Sequence, residues 1–388
     1  MKITDVAFHV VAPMGDEPVV PGSILSWAFV EVSTDVGLVG LGECSNWVRD
    51  GNRIIGHTVE TLGRSLIGMD ARNIEAVWQT IFRNYSWLGS RGLISTVISG
   101  IDIALWDLKG QVLGVPVYEL LGGRLRERVD LYGHPDTSGD GDIASRAARG
   151  SSRLVEQGFA AMKIDPFEEV WTRHSGYHGG EISRSGINAG AEVVGAMRDA
   201  VGPDVELMVD AHGAFNVATA MACMQALEPF GLTWFEEPVP PEGLDALRQV
   251  RRQARIPLCV GERLFTRWDV LPVLQEGLAD YLMPDVCWTG GISELKRIAT
   301  MAEAYFVPVS PHNALGPVQV VAGAHTMLTV PNFYRLEFHP AFADWYSDCL
   351  DQPLDVRDGA LHVSDRPGLG FALDHDYVED HRSKQWET

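Results

Sequence analysis

Three phrases in the middle of the chain decide its fold: VELMVD at 205–210, TWFEEP at 233–238 and PLCVGER at 257–263. Each is a short apolar run that reaches a carboxylate, at Asp210, Glu236 and Glu262. The intervals, 236 − 210 and 262 − 236, both equal 26 residues, the length of one strand followed by one helix. Working outward, the same form recurs as RVDLYGH (128–134), AAMKIDPF (160–167), DYLMPDV (280–286), VPVSPHN (307–313) and NFYRLEF (332–338), eight runs in all. Stretches of helical periodicity separate them, among them GAEVVGAMRDAVG and ISELKRIATMAEAYF. Alternation of this kind predicts a parallel α/β barrel over residues 126–340.

Upstream, β-like runs (ITDVAFHVV, SWAFVEVST, GLVGLGECS) precede helical patterns such as AVWQTIFRNY and VISGIDIALWDLKGQVLG. Strands first and helices afterwards predict a separate α+β unit over 1–125, ending near Gly122-Gly123. The tail, 341–388, is again strand-like and punctuated by Gly and Pro (GALHVSDRPGLGFALD), and is expected to return and pack on the N-terminal unit. At 388 residues the chain has room for a barrel and a second unit.

Composition narrows the partners. A formal net charge of −21 with no Lys/Arg-rich run argues against nucleic acid. The N-terminus lacks the basic and long apolar segments of a signal peptide, and no apolar run approaches the roughly 18 residues that span a bilayer. The five cysteines are scattered and form no C-x-x-C pair, which fits a reducing cytoplasm.

Side chains at the C-terminal ends of barrel strands converge on one mouth, where active sites sit. Three acids on adjacent strands repel one another unless a cation lies among them or their pKa values rise. Magnesium suits such hard oxygen ligands and leaves positions open for substrate. Unrelated strand-end acids that cap helices or form salt bridges are the alternative. Period-two alternation puts His212 on the face of Asp210, brings Lys163 and Asp165 into the mouth, and turns Glu237 and Arg263 away. Asp285 and His312 end the sixth and seventh runs, so a carboxylate stands beside an imidazole, the arrangement of a general base. Glu337 on the eighth run completes the ring and would donate to, or polarise, a substrate carboxylate if its pKa is raised.

Asp210, Glu236-Glu237-Pro238, Gly261-Glu262-Arg263, Pro284-Asp285, Pro311-His312-Asn313 and Glu337 together resemble the enolase superfamily, and the Asp/His dyad with a third glutamate resembles its mandelate racemase group. DAHGAF (210–215), MPDVCWTGGISELKRIA (283–299) and SPHNALGPV (310–318) are most similar to its sugar-acid dehydratases of the gluconate, xylonate and galactonate type. The resemblance covers essentially the whole chain. It implies a modified TIM (β/α)7β barrel capped by the N-terminal domain, one Mg²⁺ per subunit on Asp210, Glu236 and Glu262, a small-molecule carboxylate substrate, and a homo-oligomer. It also implies that His312, held by Asp285, removes the proton beside the carboxylate, with the ene-diolate stabilised by metal, and that His212 protonates a departing 3-hydroxyl. One departure matters. Related members often carry two lysines, one apart, on the second strand, whereas here the pattern is Lys163-Ile164-Asp165, which favours β-elimination over two-base racemisation.

Lys163 is expected to meet either the substrate carboxylate or Asp165. The long stretch PFEEVWTRHSGYHGGEISRSG (166–186) is a lid candidate with Trp171, Arg173 and His174 as substrate contacts, or else an oligomer contact or plain surface loop. MGDEPVVPGSIL (14–25) suits a mobile flap. Two further functions compete with dehydration: an isomerase, either an epimerase using His212 as second base or a cycloisomerase, and a non-catalytic binding subunit on the same scaffold.

Overall fold

The structure is a computed structural model that describes residues 1–15, 25–48, 50–173 and 180–383. Most of the flap 14–25 therefore lies outside the described residues, as do His174 and the side chains of Trp171 and Arg173.

The N-terminal unit is an antiparallel sheet of β1 (Ile3–Val11), β2 (Trp27–Thr34) and β3 (Val39–Glu43), in that order. Alternation in β1 buries Ile3, Val6, Phe8 and Val10 against the helices Gly51–Gly63, Ile74–Asn84 and Leu93–Leu113. The last of these helices lies directly on β3, and glycine allows it. A Cβ added to Gly42 would sit 1.9 Å from the carbonyl oxygen of Gly100, a backbone atom that has nowhere to go. Gly42→Ala is therefore expected to destabilise the fold by about 1 to 3 kcal/mol, the range for overpacking, read as a lowered melting temperature.

The barrel strands are β4 (Val129–Gly133), β5 (Ala161–Ile164), β6 (Glu206–Asp210), β7 (Trp234–Glu236), β8 (Leu258–Val260), β9 (Tyr281–Leu282) and β10 (Leu336–Phe338). All pair in parallel from β4 to β9, and β10 returns to β4 through Glu337 beside Tyr132. The eight-run reading holds, with one difference at the seventh position. There the chain makes only a single bridge, Val309 with Leu282 on one side and Phe333 on the other. Pro308 and Pro311 flank that bridge, and a residue without an N–H cannot extend a ladder. Helices follow the first seven strand positions, as a (β/α)7β barrel requires.

Tyr132, Met208, Trp234, Cys259 and Met283 fill the barrel interior, fully buried. Residues two further along the chain from Tyr132, Met208, Trp234 and Met283 then enter the mouth: His134, Asp210, Glu236 and Asp285. The tail forms a hairpin of β11 (Asp355–Arg357) and β12 (Ala360–His362) that pairs with β4, and then runs on to β1. There Ala12 N–H donates to His381 at 2.8 Å and Ser383 N–H donates to Val10 at 2.8 Å. Among the described residues no helix is long and apolar enough to cross a membrane.

Candidate active site

Asp210, Glu236 and Glu262 are buried at the mouth, and one carboxylate oxygen from each lies within 4.8 Å of the others. Asp210 and Glu236 arrive there by strand alternation. Glu262 does not, since Cys259 faces the interior and Gly261 should follow it. Gly261 instead takes φ +144°, with Met283 too close for any side chain, and this turn delivers Glu262. The neighbouring Glu237 pairs with Arg263, through Nε at 2.9 Å, and Arg263 donates to the carbonyl of His212 at 2.9 Å. These two residues brace the mouth, and Arg263 Nε also lies 3.5 Å from Glu262 of the acid group.

Lys163 does not take the partner expected for it within the chain. Its ammonium meets Glu236 at 2.9 Å, Asp210 at 3.1 Å and Glu337 at 2.9 Å, and does not pair with Asp165. Asp165 sits instead 3.5 Å from His212 Nδ1, which is equally far from Asp210. Burial favours a neutral His212 ring, but Asp165, Asp210 and Glu262 outweigh it and push the imidazole up to about 9. His212 has φ +48°, so it leaves the strand geometry on which the alternation argument relied.

His312 and Asp285 meet as read from sequence, Nδ1 to Oδ2 at 2.6 Å, both buried. The other ring nitrogen, Nε2, lies 3.3 Å from Glu262 and so faces the acid group. Burial lowers the His312 pKa, but Glu262 first and then Asp285 and Glu337 raise it to about 9. Positive charge placed against Glu262 weakens the largest of those raising effects.

Glu337 also differs from expectation. Burial alone would raise its pKa, yet Lys163 and a hydrogen bond from His134 hold it well below the usual range. It accepts from His134 Nε2 at 2.7 Å and from the Asn313 N–H at 2.9 Å, so it stands as an ionised acceptor rather than a proton donor. His134, unremarked in the sequence reading, directly follows β4, two residues after the interior Tyr132, and the counting that found Asp210 would have found it. Its ring stacks on His339 at 3.9 Å, a contact between distant segments that no local pattern carries. The stretch 166–186 contains a short helix, Glu168–Arg173, and Glu169 accepts from the Ser183 N–H at 3.0 Å and from the Ser183 hydroxyl at 2.5 Å.

Three hard carboxylates on neighbouring strands suit a divalent cation. Asp210 Oδ2 gives an independent sign of fit: it is buried and has no partner in hydrogen-bonding geometry, although Lys163 is near.

A capped barrel whose strand ends carry these acids opposite an Asp–His pair defines an enzyme of the enolase type. Comparison with known proteins agrees. Residues 22–122 match the mandelate racemase/muconate lactonizing enzyme N-terminal domain and residues 145–377 match the enolase C-terminal domain-like family. D-gluconate dehydratase of Thermoproteus tenax is 34% identical over 92% of this chain and 70% of its own length. D-galactarolactone cycloisomerase of Agrobacterium fabrum is 34% identical over 98% of this chain and 99% of its own. The crystal structure of a mandelate racemase/muconate lactonizing enzyme-like protein from Rubrobacter xylanophilus superposes with a TM-score of 0.89, at 35% identity, covering 99% of this chain and 98% of that one. The chain belongs to the mandelate racemase/muconate lactonizing enzyme family of the enolase superfamily. Enzymes of this superfamily use a metal, and this chain has acidic clusters able to hold one.

Proposed function

We propose that the protein is a carbon–oxygen lyase that dehydrates a sugar acid, an aldonate or aldarate, to a 2-keto-3-deoxy acid. The observation that carries this reading is the pair of imidazoles flanking the acid group, His312 beside Glu262 and His212 beside Asp210. Dehydration needs two proton-handling groups with opposite tasks, and the two rings have different partners to suit. Asp285 holds Nδ1 of His312, leaving Nε2 to take the proton from the carbon next to the carboxylate. The electrons released then expel the 3-hydroxyl, and His212, held protonated by Asp165 and Asp210, gives that oxygen a proton so that it leaves as water. The resulting enol tautomerises to the keto acid.

Asp210, Glu236 and Glu262 would hold Mg²⁺, which supplies charge stabilisation for the electron-rich carboxylate. Lys163, whose ammonium Glu236, Asp210 and Glu337 hold at the same mouth, is the proposed contact for a second carboxylate oxygen. Glu337 and His134 fix where that ammonium lies. Trp171, Arg173 and His174 remain proposed contacts from the lid. Residues 1–125, 126–340 and 341–388 are the proposed capping, barrel and returning segments of one homo-oligomeric cytoplasmic protein. Five free, buried cysteines suit that compartment.

The full-length cycloisomerase relative supports a second reading, in which the same α-proton chemistry ends in ring opening or closure. A stereochemically complete library of four- to six-carbon sugar acids, incubated with enzyme and Mg²⁺, separates the two. Keto-acid formation from some member is the expected result. Exchange of the α-proton with deuterated solvent and no keto acid would favour the isomerase, and no reaction or exchange with any member would overturn both.

A further inference from the structure

One buried polar chain runs from the capping domain to the proposed base. It starts at Glu43, the last residue of β3, which has no exposed surface. Its Oε1 accepts from the Ser45 hydroxyl at 2.5 Å and from the Gly316 N–H at 2.8 Å, and its Oε2 accepts from the Gln319 N–H at 2.8 Å. Gly316 and Gln319 stand at the start of the helix Pro317–Met327, where N–H groups lack intrahelical partners, so a carboxylate from the other domain caps this barrel helix.

Gln319 carries the contact onward. Its Oε1 accepts from Leu315 N–H at 2.8 Å, which fixes the orientation of the amide and leaves Nε2 to donate to Asp285 Oδ2 at 2.6 Å. That is the oxygen His312 Nδ1 meets at 2.6 Å. A second route leaves the same strand end, where Ser45 accepts from Trp288 Nε1 at 2.8 Å and the Trp288 ring lies 5.0 Å from that of His312. Both the partner of the imidazole and the ring packed beside it are thus anchored on residues 43–45.

We infer that Glu43 and Gln319 are positioning residues for His312, so that the capping domain, through the end of β3, sets the geometry of the base. The inference rests on His312 acting as that base. Only a carboxylate fits at position 43: in either orientation a glutamine would turn its NH₂ against a backbone N–H, of Gly316 or of Gln319. Burial pushes the Glu43 carboxyl up to about 7, while the hydrogen bonds from Ser45, Gln319 and Gly316 act to lower it.

The test compares Glu43→Gln and Gln319→Ala with the full-length protein in Mg²⁺. Each variant is expected to lose about ten-fold in kcat with KM within about two-fold, the scale of losing a partner that orients a working group. Each should also shift or broaden the low-field proton of the His312–Asp285 hydrogen bond, identified by its absence in His312→Asn. Gln319→Ala leaves Glu43 and its backbone donors in place, so it answers the question if Glu43→Gln fails to fold. Wild-type kcat together with an unmoved low-field proton would overturn the inference, as would a lowered melting temperature with both unchanged in the folded protein. Should the wild-type enzyme prove inactive on every sugar acid, the dehydratase reading falls, while the proton signal still decides whether Glu43 and Gln319 hold His312.

Discussion

His312→Asn is expected to lower kcat for keto-acid formation about 10³- to 10⁴-fold, and to abolish exchange of the α-proton with solvent to the same extent. General bases contribute about 10² to 10⁴, and this one has no substitute on its side of the mouth. Lys163 is engaged by Glu236, Asp210 and Glu337, and Glu262 faces the ring it would have to replace. Asparagine keeps a donor toward Asp285, so the buried carboxylate retains Gln319, Cys287 N–H and an amide, and melting should change little. His212→Asn provides the contrast that makes this decisive. It should block loss of water yet leave α-proton exchange, because His212 touches Asp165 and Asp210 and not the dyad. If His312→Asn still exchanges the α-proton at the wild-type rate, His312 is not the base.

Much of this geometry was legible in the chain because it follows from two periodicities. Recurring strand–helix units place successive strand ends side by side, and a period of two selects which side chains look into the mouth, and together they yield Asp210, Glu236, Asp285 and His312. The same count applied to Tyr132 would have given His134. Where alternation breaks down, the sequence misleads or is silent. Glu262 enters the mouth only because Gly261 adopts a φ closed to other residues, and His212 lies beyond the strand with a positive φ of its own. The Asp165 alternative for Lys163 and a raised pKa for Glu337 fail for another reason. Both depend on which charges the fold brings within about 3 Å, and Lys163 and Glu337 are 174 residues apart in the chain (337 − 163) yet 2.9 Å apart in space. Glu43 and Gln319 escaped notice because neither stands at a barrel strand end. Only the docking of β3 on the helix Pro317–Met327 joins them.

Glu236→Gln is expected to weaken divalent-ion binding by at least about 100-fold, with loss of activity of similar or larger size. Glu236 is fully buried and central, with Lys163 donating to Oε1 at 2.9 Å and Trp234 Nε1 to Oε2 at 3.0 Å. An amide there removes one of three anionic ligands and presents an NH₂ to one of those donors, a mismatch that burial makes costly. Calorimetric titration with Mg²⁺ measures the effect directly. The wild-type affinity should itself rise with pH, because an ion competes with protons for its ligands. Burial, reinforced by Asp210, Glu337 and Glu262, pushes the Glu236 carboxyl well above its ordinary value, so the gain extends further toward neutral pH than exposed carboxylates would allow. Asp285→Asn is the control, since Asp285 touches His312 and Gln319 and none of the three acids. It should impair catalysis and leave ion binding near wild type. Thorough chelation should abolish turnover and added Mg²⁺ restore it. Turnover that survives chelation, or equal ion affinity in Glu236→Gln and Asp285→Asn, would remove the metal from this site and the dehydration chemistry with it.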